Sequence, residues 1–141
     1  MKNRIICIAV SLLIMMVPCF AFAGTELDTP IEEGLVDEYS YTSTVSTTLT
    51  ISNTGVAKPR AVITGFPGTT TKLSVTMYLQ KYSNGSWETI QSWSSSTTLN
   101  SLTLTKSKVV SKGKYRTHAV FKAYRNSSSE QIVKNSGTVS C

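Results

Sequence analysis

Lys72–Trp93 reads KLSVTMYLQKYSNGSWETIQSW, and its centre decides the fold. Asn84-Gly85 is a strong signal for a two-residue hairpin turn of type I′, because both turn positions need positive φ. Counting outward pairs Ser83 with Ser86, Tyr82 with Trp87, Lys81 with Glu88, Gln80 with Thr89 and Leu79 with Ile90. The same count sets Tyr78 against Gln91, Met77 against Ser92 and Thr76 against Trp93. Alternation then sorts the side chains onto two faces. Leu73, Val75, Met77, Leu79 and Ile90 share one face, with Lys81 and Glu88 paired near the turn. Tyr78, Gln80, Tyr82, Trp87, Thr89, Gln91 and Trp93 share the other. The aliphatic face is the natural core, so the aromatic face is expected to point away from it.

The rest of the basic region has the same period. TVSTTLTIS sets Val45, Thr47, Leu49 and Ile51 against Ser46, Thr48, Thr50 and Ser52. RAVITGF is β-branched and bounded by Pro59 and Gly65. TLNSLTLT contributes Leu102 and Leu104, KYRTHAVFKAY follows Gly113, and EQIVKNSGTVS ends the chain. No stretch carries an apolar stripe at helical spacing. Short alternating strands between frequent turns point to an all-β fold. The expectation is an antiparallel immunoglobulin-like or fibronectin-like sandwich of about seven strands.

Ahead of that region lie two segments of different character. MKNR is positively charged, IICIAVSLLIMMV is apolar and uncharged, and Ala21-Phe22-Ala23 ends the run in small residues. This is the pattern of a secretory signal over residues 1–23, cleaved after Ala23. The apolar run is short for a membrane span, which needs ~20 residues. Lipidation at Cys19 would need a better lipobox than Met16 and Pro18 supply. The expected location is therefore secreted and extracellular, with no integral membrane segment after cleavage. Residues 24–41 carry only negative charge (Glu26, Asp28, Glu32, Glu33, Asp37, Glu38) and read as a flexible acidic arm. Residues 42–141 form the expected β-sandwich domain. There, twelve Lys and Arg face Glu88 and Glu130 alone, a balance of +10. The arm is either an ordinary solvated linker or an electrostatic cover for the basic domain. Cys7 and Cys19 leave with the signal, so no internal disulfide is available and Cys141 offers at most a link between two chains.

Three roles compete for the aromatic face of Tyr78, Tyr82, Trp87 and Trp93. It could be cross-strand pairing alone, worth ~0.2–1 kcal/mol per pair. It could be covered by the acidic arm or another subunit. It could be a platform for sugar rings or a peptide. Tyr115, just after Gly113, resembles the corner tyrosine of immunoglobulin-like sandwiches, whose hydroxyl bonds back to nearby backbone. Tyr115, Thr117, Ala119, Phe121 and Ala123 then face inward, while Arg116, His118, Lys122 and Tyr124 face outward. His118 is the one histidine and reads as a solvated polar residue. Lys106, Lys108, Lys112, Lys114, Arg116 and Lys122 suggest a basic patch at one end or edge. Lysines there also block edge-to-edge aggregation.

The residue inventory argues against catalysis. After Glu38 the chain has no Asp, two Glu, one His and a terminal Cys. A glycosidase pair needs two carboxylates, and a Ser-His-Asp triad lacks its orienting acid. Zinc and calcium sites lack ligands, and no glycine loop cradles phosphate. No enzyme activity, metal or cofactor is expected. A basic domain can bind nucleic acid, but export makes an anionic cell-wall polymer, glycan or protein the better partner.

MYLQKYSNGSW and KGKYRTHAVFKAY resemble segments of a group of small exported β-sandwich proteins of unknown function from Gram-positive bacteria. The resemblance runs from about Pro59 to the C-terminus. Its motifs (Leu-Gln-x-x, Asn-Gly-x-Trp, Gly-x-Tyr-Arg) are structural and carry over no catalytic residues. A weaker similarity is to exported β-sandwich bacteriocins, in size, charge and signal. The functional expectation is a secreted, non-enzymatic binding module that uses an aromatic sheet face and a basic edge. The alternative is a bacteriocin-like antimicrobial protein acting on anionic envelopes.

Overall fold

A computed structural model describes residues 39–141. The expected signal and most of the acidic arm lie outside those residues. The described chain is all β, in two antiparallel sheets. Its strands are β1 (Thr42–Ile51), β2 (Val56–Gly65), β3 (Lys72–Ser83), β4 (Ser86–Thr97), β5 (Ser101–Thr105), β6 (Lys108–Val109), β7 (Lys114–Arg125), β8 (Ser128–Asn135) and β9 (Val139–Ser140). One sheet runs β1-β2-β5, with β6 also on β2. The other runs β4-β3-β7-β8, with β9 also on β7.

The inward residues of both sheets form the core. Ala61, Ile63, Leu102 and Leu104 from the first sheet meet Leu73, Val75, Met77, Ala119, Phe121, Ala123 and Ile132 from the second. Leu49, Ala57, Leu79 and Tyr115 form a second cluster. Small alanines alternate with large residues along β7, which lets the two layers interlock. The Thr117 hydroxyl crosses between the layers and donates to the Thr48 carbonyl at 3.2 Å. It satisfies a polar group that would otherwise be costly at zero exposure.

Among the described residues there are nine strands where about seven were expected, and local chemistry explains both additions. Pro59 was expected to bound a strand, but it lies inside β2, between β1 and the β5–β6 edge. Its carbonyl accepts from Lys106 N at 3.2 Å, so its ring nitrogen, with no hydrogen to donate, faces the same edge. The ladder breaks there, across Lys106 and Ser107, and β5 and β6 become separate pieces of one edge. The β8–β9 edge breaks at Ser136–Thr138. Ser136 bridges the gap: its Oγ accepts from Thr117 N, and its N donates to Thr117 O, both at 2.8 Å.

The hairpin forms as its sequence requires. Asn84 and Gly85 take φ of 50° and 85°, and pairing follows the expected count from Ser83↔Ser86 to Gln80↔Thr89. Beyond it, the expected register fails. Leu79 pairs with Gln91 rather than Ile90, because Ile90 is the extra residue of a β-bulge. Every later residue of β4 therefore changes face. Ile90, expected in the core, is 36% exposed. Trp93, expected on the outer face, lies opposite Met77 and packs against both core clusters. An unbroken ladder would have turned Ile90, Ser92, Ser94 and Ser96 inward. The bulge instead turns in Trp93, mid-strand over the centre of the core. An indole buries more apolar area than an isoleucine near the turn.

Tyr39, Ser40 and Tyr41, read above as the end of the arm, are held on the domain. Tyr39 and Tyr41 pack against the core. Ser40 N and Tyr41 N donate to the two carboxylate oxygens of Glu130, at 2.9 and 2.8 Å. The Tyr41 carbonyl accepts from the Thr70 hydroxyl. A single carboxylate on β8 thus fixes the entry into β1, on the opposite sheet.

Candidate functional site

The outer face of the β4-β3-β7-β8 sheet carries the aromatic and cationic side chains picked out above. Tyr78, Gln80 and Tyr82 come from β3, Trp87 from β4, and Lys114, Arg116 and His118 from β7. Tyr78 lies opposite His118 and Gln80 opposite Arg116, which brings residues far apart in sequence into one row. Tyr82 lies opposite Trp87, as the turn dictates.

The cluster next to the turn is tightly connected. The Tyr82 and Trp87 rings meet edge to face, with centroids 5.2 Å apart and planes at 64°. The Arg116 guanidinium lies 4.4 Å from the Trp87 ring centroid. Its Nε donates to Gln80 Oε1 at 2.8 Å. Gln80 Nε2 is in turn 3.3 Å from Thr89 Oγ1. The Lys114 ammonium lies 5.6 Å from the Tyr82 ring. Cations held over ring faces gain ~0.5–1 kcal/mol each at exposed positions. Tyr82 remains 43% exposed, so the cluster has an open aromatic surface.

Farther along the face, Tyr78 and His118 are 5.6 Å apart, and His118 Nδ1 is 2.7 Å from Asn135 Oδ1. Near the far end, Lys72, Ser74, Thr76, Ser94, Ser96 and Tyr124 line a shallow open depression of about 370 Å³. Lys72 sits 5.3 Å from the Tyr124 ring. The face is open, hydroxyl-rich and cationic.

The structure brings together three of the four aromatic residues read from sequence: Tyr78, Tyr82 and Trp87. Trp93 does not belong with them, because the bulge turns it inward. Of the six basic residues, Lys114 and Arg116 join this aromatic face. Lys106, Lys108 and Lys112 lie at the same end of the domain, around β6 and the link to β7. Lys122 is on the outer face of β7 but six residues from Arg116, roughly 20 Å along the strand. Lys58 and Lys81 are added to the basic end: Lys58 adjoins Ala57, the partner of Lys108, and Lys81 Nζ bonds Ser111 Oγ at 3.1 Å. That bond, with Tyr115 only 5.7 Å away, draws the ammonium of Lys81 toward the β6–β7 link, although Glu88 lies opposite in the ladder. Gln80 was not singled out as a site residue. Only its pairing with β7 reveals that it orients Arg116.

Tyr115 is 1% exposed, and its hydroxyl donates to the Ser111 carbonyl at 2.7 Å. This closes the link between the sheets just before β7 and sets where Lys114 and Arg116 emerge. Cys141 is exposed, and its backbone pairs with Gly113 at 2.8 and 3.2 Å. Among the described residues, no three His, Cys, Asp or Glu side chains come together as a metal site requires. Among the same residues, no helix is long and apolar enough to cross a membrane. No protein-family model matches the chain, and a search of the curated proteins finds no match either.

Proposed function

We propose that this is a secreted, non-enzymatic recognition module with an immunoglobulin-like sandwich, which binds its partner on the outer face of the β4-β3-β7-β8 sheet. The observation that carries this reading is the Tyr82–Trp87–Arg116–Lys114 cluster. Aromatic rings and cations held in place on an open face offer contact area at low entropic cost. The corner-type bond of Tyr115 supports the immunoglobulin-like assignment. The scarcity of carboxylates after Glu38 supports binding over catalysis. Candidate partners are cell-wall polymers, glycans and proteins. An array of glycans, wall fragments and peptides tests the reading. Trp87→Ala should remove the strongest signals, whereas Trp93→Ala should leave them in place in protein that remains folded. Loss of binding in neither variant would refute it.

One observation favours the antimicrobial alternative. Val109 is 74% exposed, next to Lys108 and flanked by Lys106 and Lys112. An apolar side chain among lysines suits an anionic envelope surface. Growth inhibition of related bacteria by the purified protein, lost in Val109→Ser, would favour that reading.

A further inference from the structure

The cluster on the outer sheet face contains a cation with unused hydrogen-bonding capacity. Arg116 makes one hydrogen bond among the described residues, from Nε to Gln80. Its two terminal nitrogens carry four N–H donors, with none paired to another described residue. The guanidinium is nevertheless held: Trp87 stacks on it at 4.4 Å and Gln80 fixes its Nε edge. Most arginine rotamer freedom is therefore already lost before any ligand arrives.

Neither acidic side chain among the described residues neutralises it. Glu88 and Glu130 carry the two side-chain carboxylates among the described residues. Glu130 is engaged by two backbone N–H groups at the far end of the domain. Glu88 is next to Trp87 in β4 and opposite Lys81, so alternation puts it on the other face. Lys114, over Tyr82, adds a second positive charge beside Arg116. A planar, oriented fork of this kind matches the paired oxygens of a carboxylate, sulfate or phosphate.

The surroundings narrow the carrier of that anion. Along β3 and β4 the face continues through Thr76, Ser92, Ser94, Ser74 and Ser96, toward Tyr124 and Lys72. Tyr78 and Tyr82 lie four residues apart on one strand face, roughly 13 Å. The hydroxyls lie between Tyr78 and Tyr124, both partly exposed, and suit a hydroxylated polymer. An inserting lipid surface would need a broader apolar patch.

We infer that Arg116, held by Trp87 and Gln80 and flanked by Lys114, is an oxyanion subsite on this face, and that its ligand is an acidic glycan. The inference rests on the recognition reading above and adds to it the chemical class of the ligand.

The test is titration calorimetry at fixed ionic strength with matched polymers. Polygalacturonate and its full methyl ester share rings and differ in charge. Dextran sulfate and dextran separate sulfate from carboxylate. Polyphosphate presents anions without rings. The acidic member of at least one sugar pair should bind about tenfold or more tighter than its neutral partner, as charge-assisted hydrogen bonds imply. Arg116→Gln should bring the acidic polymer down to the neutral one. Arg116→Lys, which keeps the charge without the fork, should recover only part of the difference. Arg125→Gln, the same charge change at the far end of β7, should leave the ratio intact. Equal binding of both members of each pair, with loss in Trp87→Ala, would overturn the oxyanion subsite and leave the recognition face standing. An equal loss in Arg125→Gln, or polyphosphate binding as tightly as the acidic sugars, would also overturn it, because general charge would suffice. Binding of no sugar polymer would sink the acidic glycan, while array hits lost in Trp87→Ala would still uphold the face.

Discussion

Truncating each tryptophan to alanine should have opposite consequences, although the two lie only six residues apart on one strand. Trp93 is half-buried over Met77 and touches both core clusters. A tryptophan buries ~150–250 Å² when enclosed. Half of that, at ~25 cal/mol per Å², is about 2–3 kcal/mol. The void left between two clusters adds to it, as cavities do in large-to-small substitutions. Trp93→Ala should thus cost about 3 kcal/mol. Trp87 loses only an edge-to-face partner and a stacked guanidinium on an open face, about 1 kcal/mol together. For a domain near 100 residues, each kcal/mol moves Tm by ~4–8 °C. Urea and thermal unfolding of both variants should show Trp93→Ala as the far less stable. Acrylamide should quench the fluorescence of Trp93→Ala, which retains Trp87, more than that of Trp87→Ala. Equal destabilisation, or a loss under about 1 kcal/mol in Trp93→Ala, would refute the bulged register.

Three further outcomes follow from the same geometry. Deleting Ile90 removes the extra residue and leaves Leu79 opposite Gln91, so Trp93 should stay buried and stability should fall by less than about 1 kcal/mol; a red-shifted Trp93 emission would contradict this. Tyr115→Phe leaves the Ser111 carbonyl without its 2.7 Å partner and should cost about 1 kcal/mol in urea unfolding. Glu130→Gln keeps one acceptor oxygen but loses the charge that two N–H groups share. Amide exchange at Ser40 and Tyr41 should then accelerate at least tenfold, with the β3–β7 amides unchanged.

How much of this was legible depends on whether the deciding interaction was local. Asn84-Gly85 fixed its turn and the first four pairs, because turn chemistry acts over a few residues. The same holds for the inward set of β7, from Tyr115 to Ala123, where strict alternation meets no interruption. Parity has no memory of an inserted residue, so a single bulge reversed everything beyond Thr89. A weighing of side-chain areas would have exposed the problem. An unbroken β4 buries one isoleucine and three serines, whereas one shift anywhere between Trp87 and Trp93 buries an indole and still leaves the other outside. Pro59 offered a comparable clue, since a proline inside a paired strand forces its neighbour to break. The candidate site was legible only in halves. Aromatic residues on β3–β4 and cations on β7 each stood out, but nothing local says that Gln80 meets Arg116 across 36 positions. The sheet order β4-β3-β7 joins the two halves, and with them a surface of separate rings and a surface of separate charges become one face with an oriented arginine beside the turn.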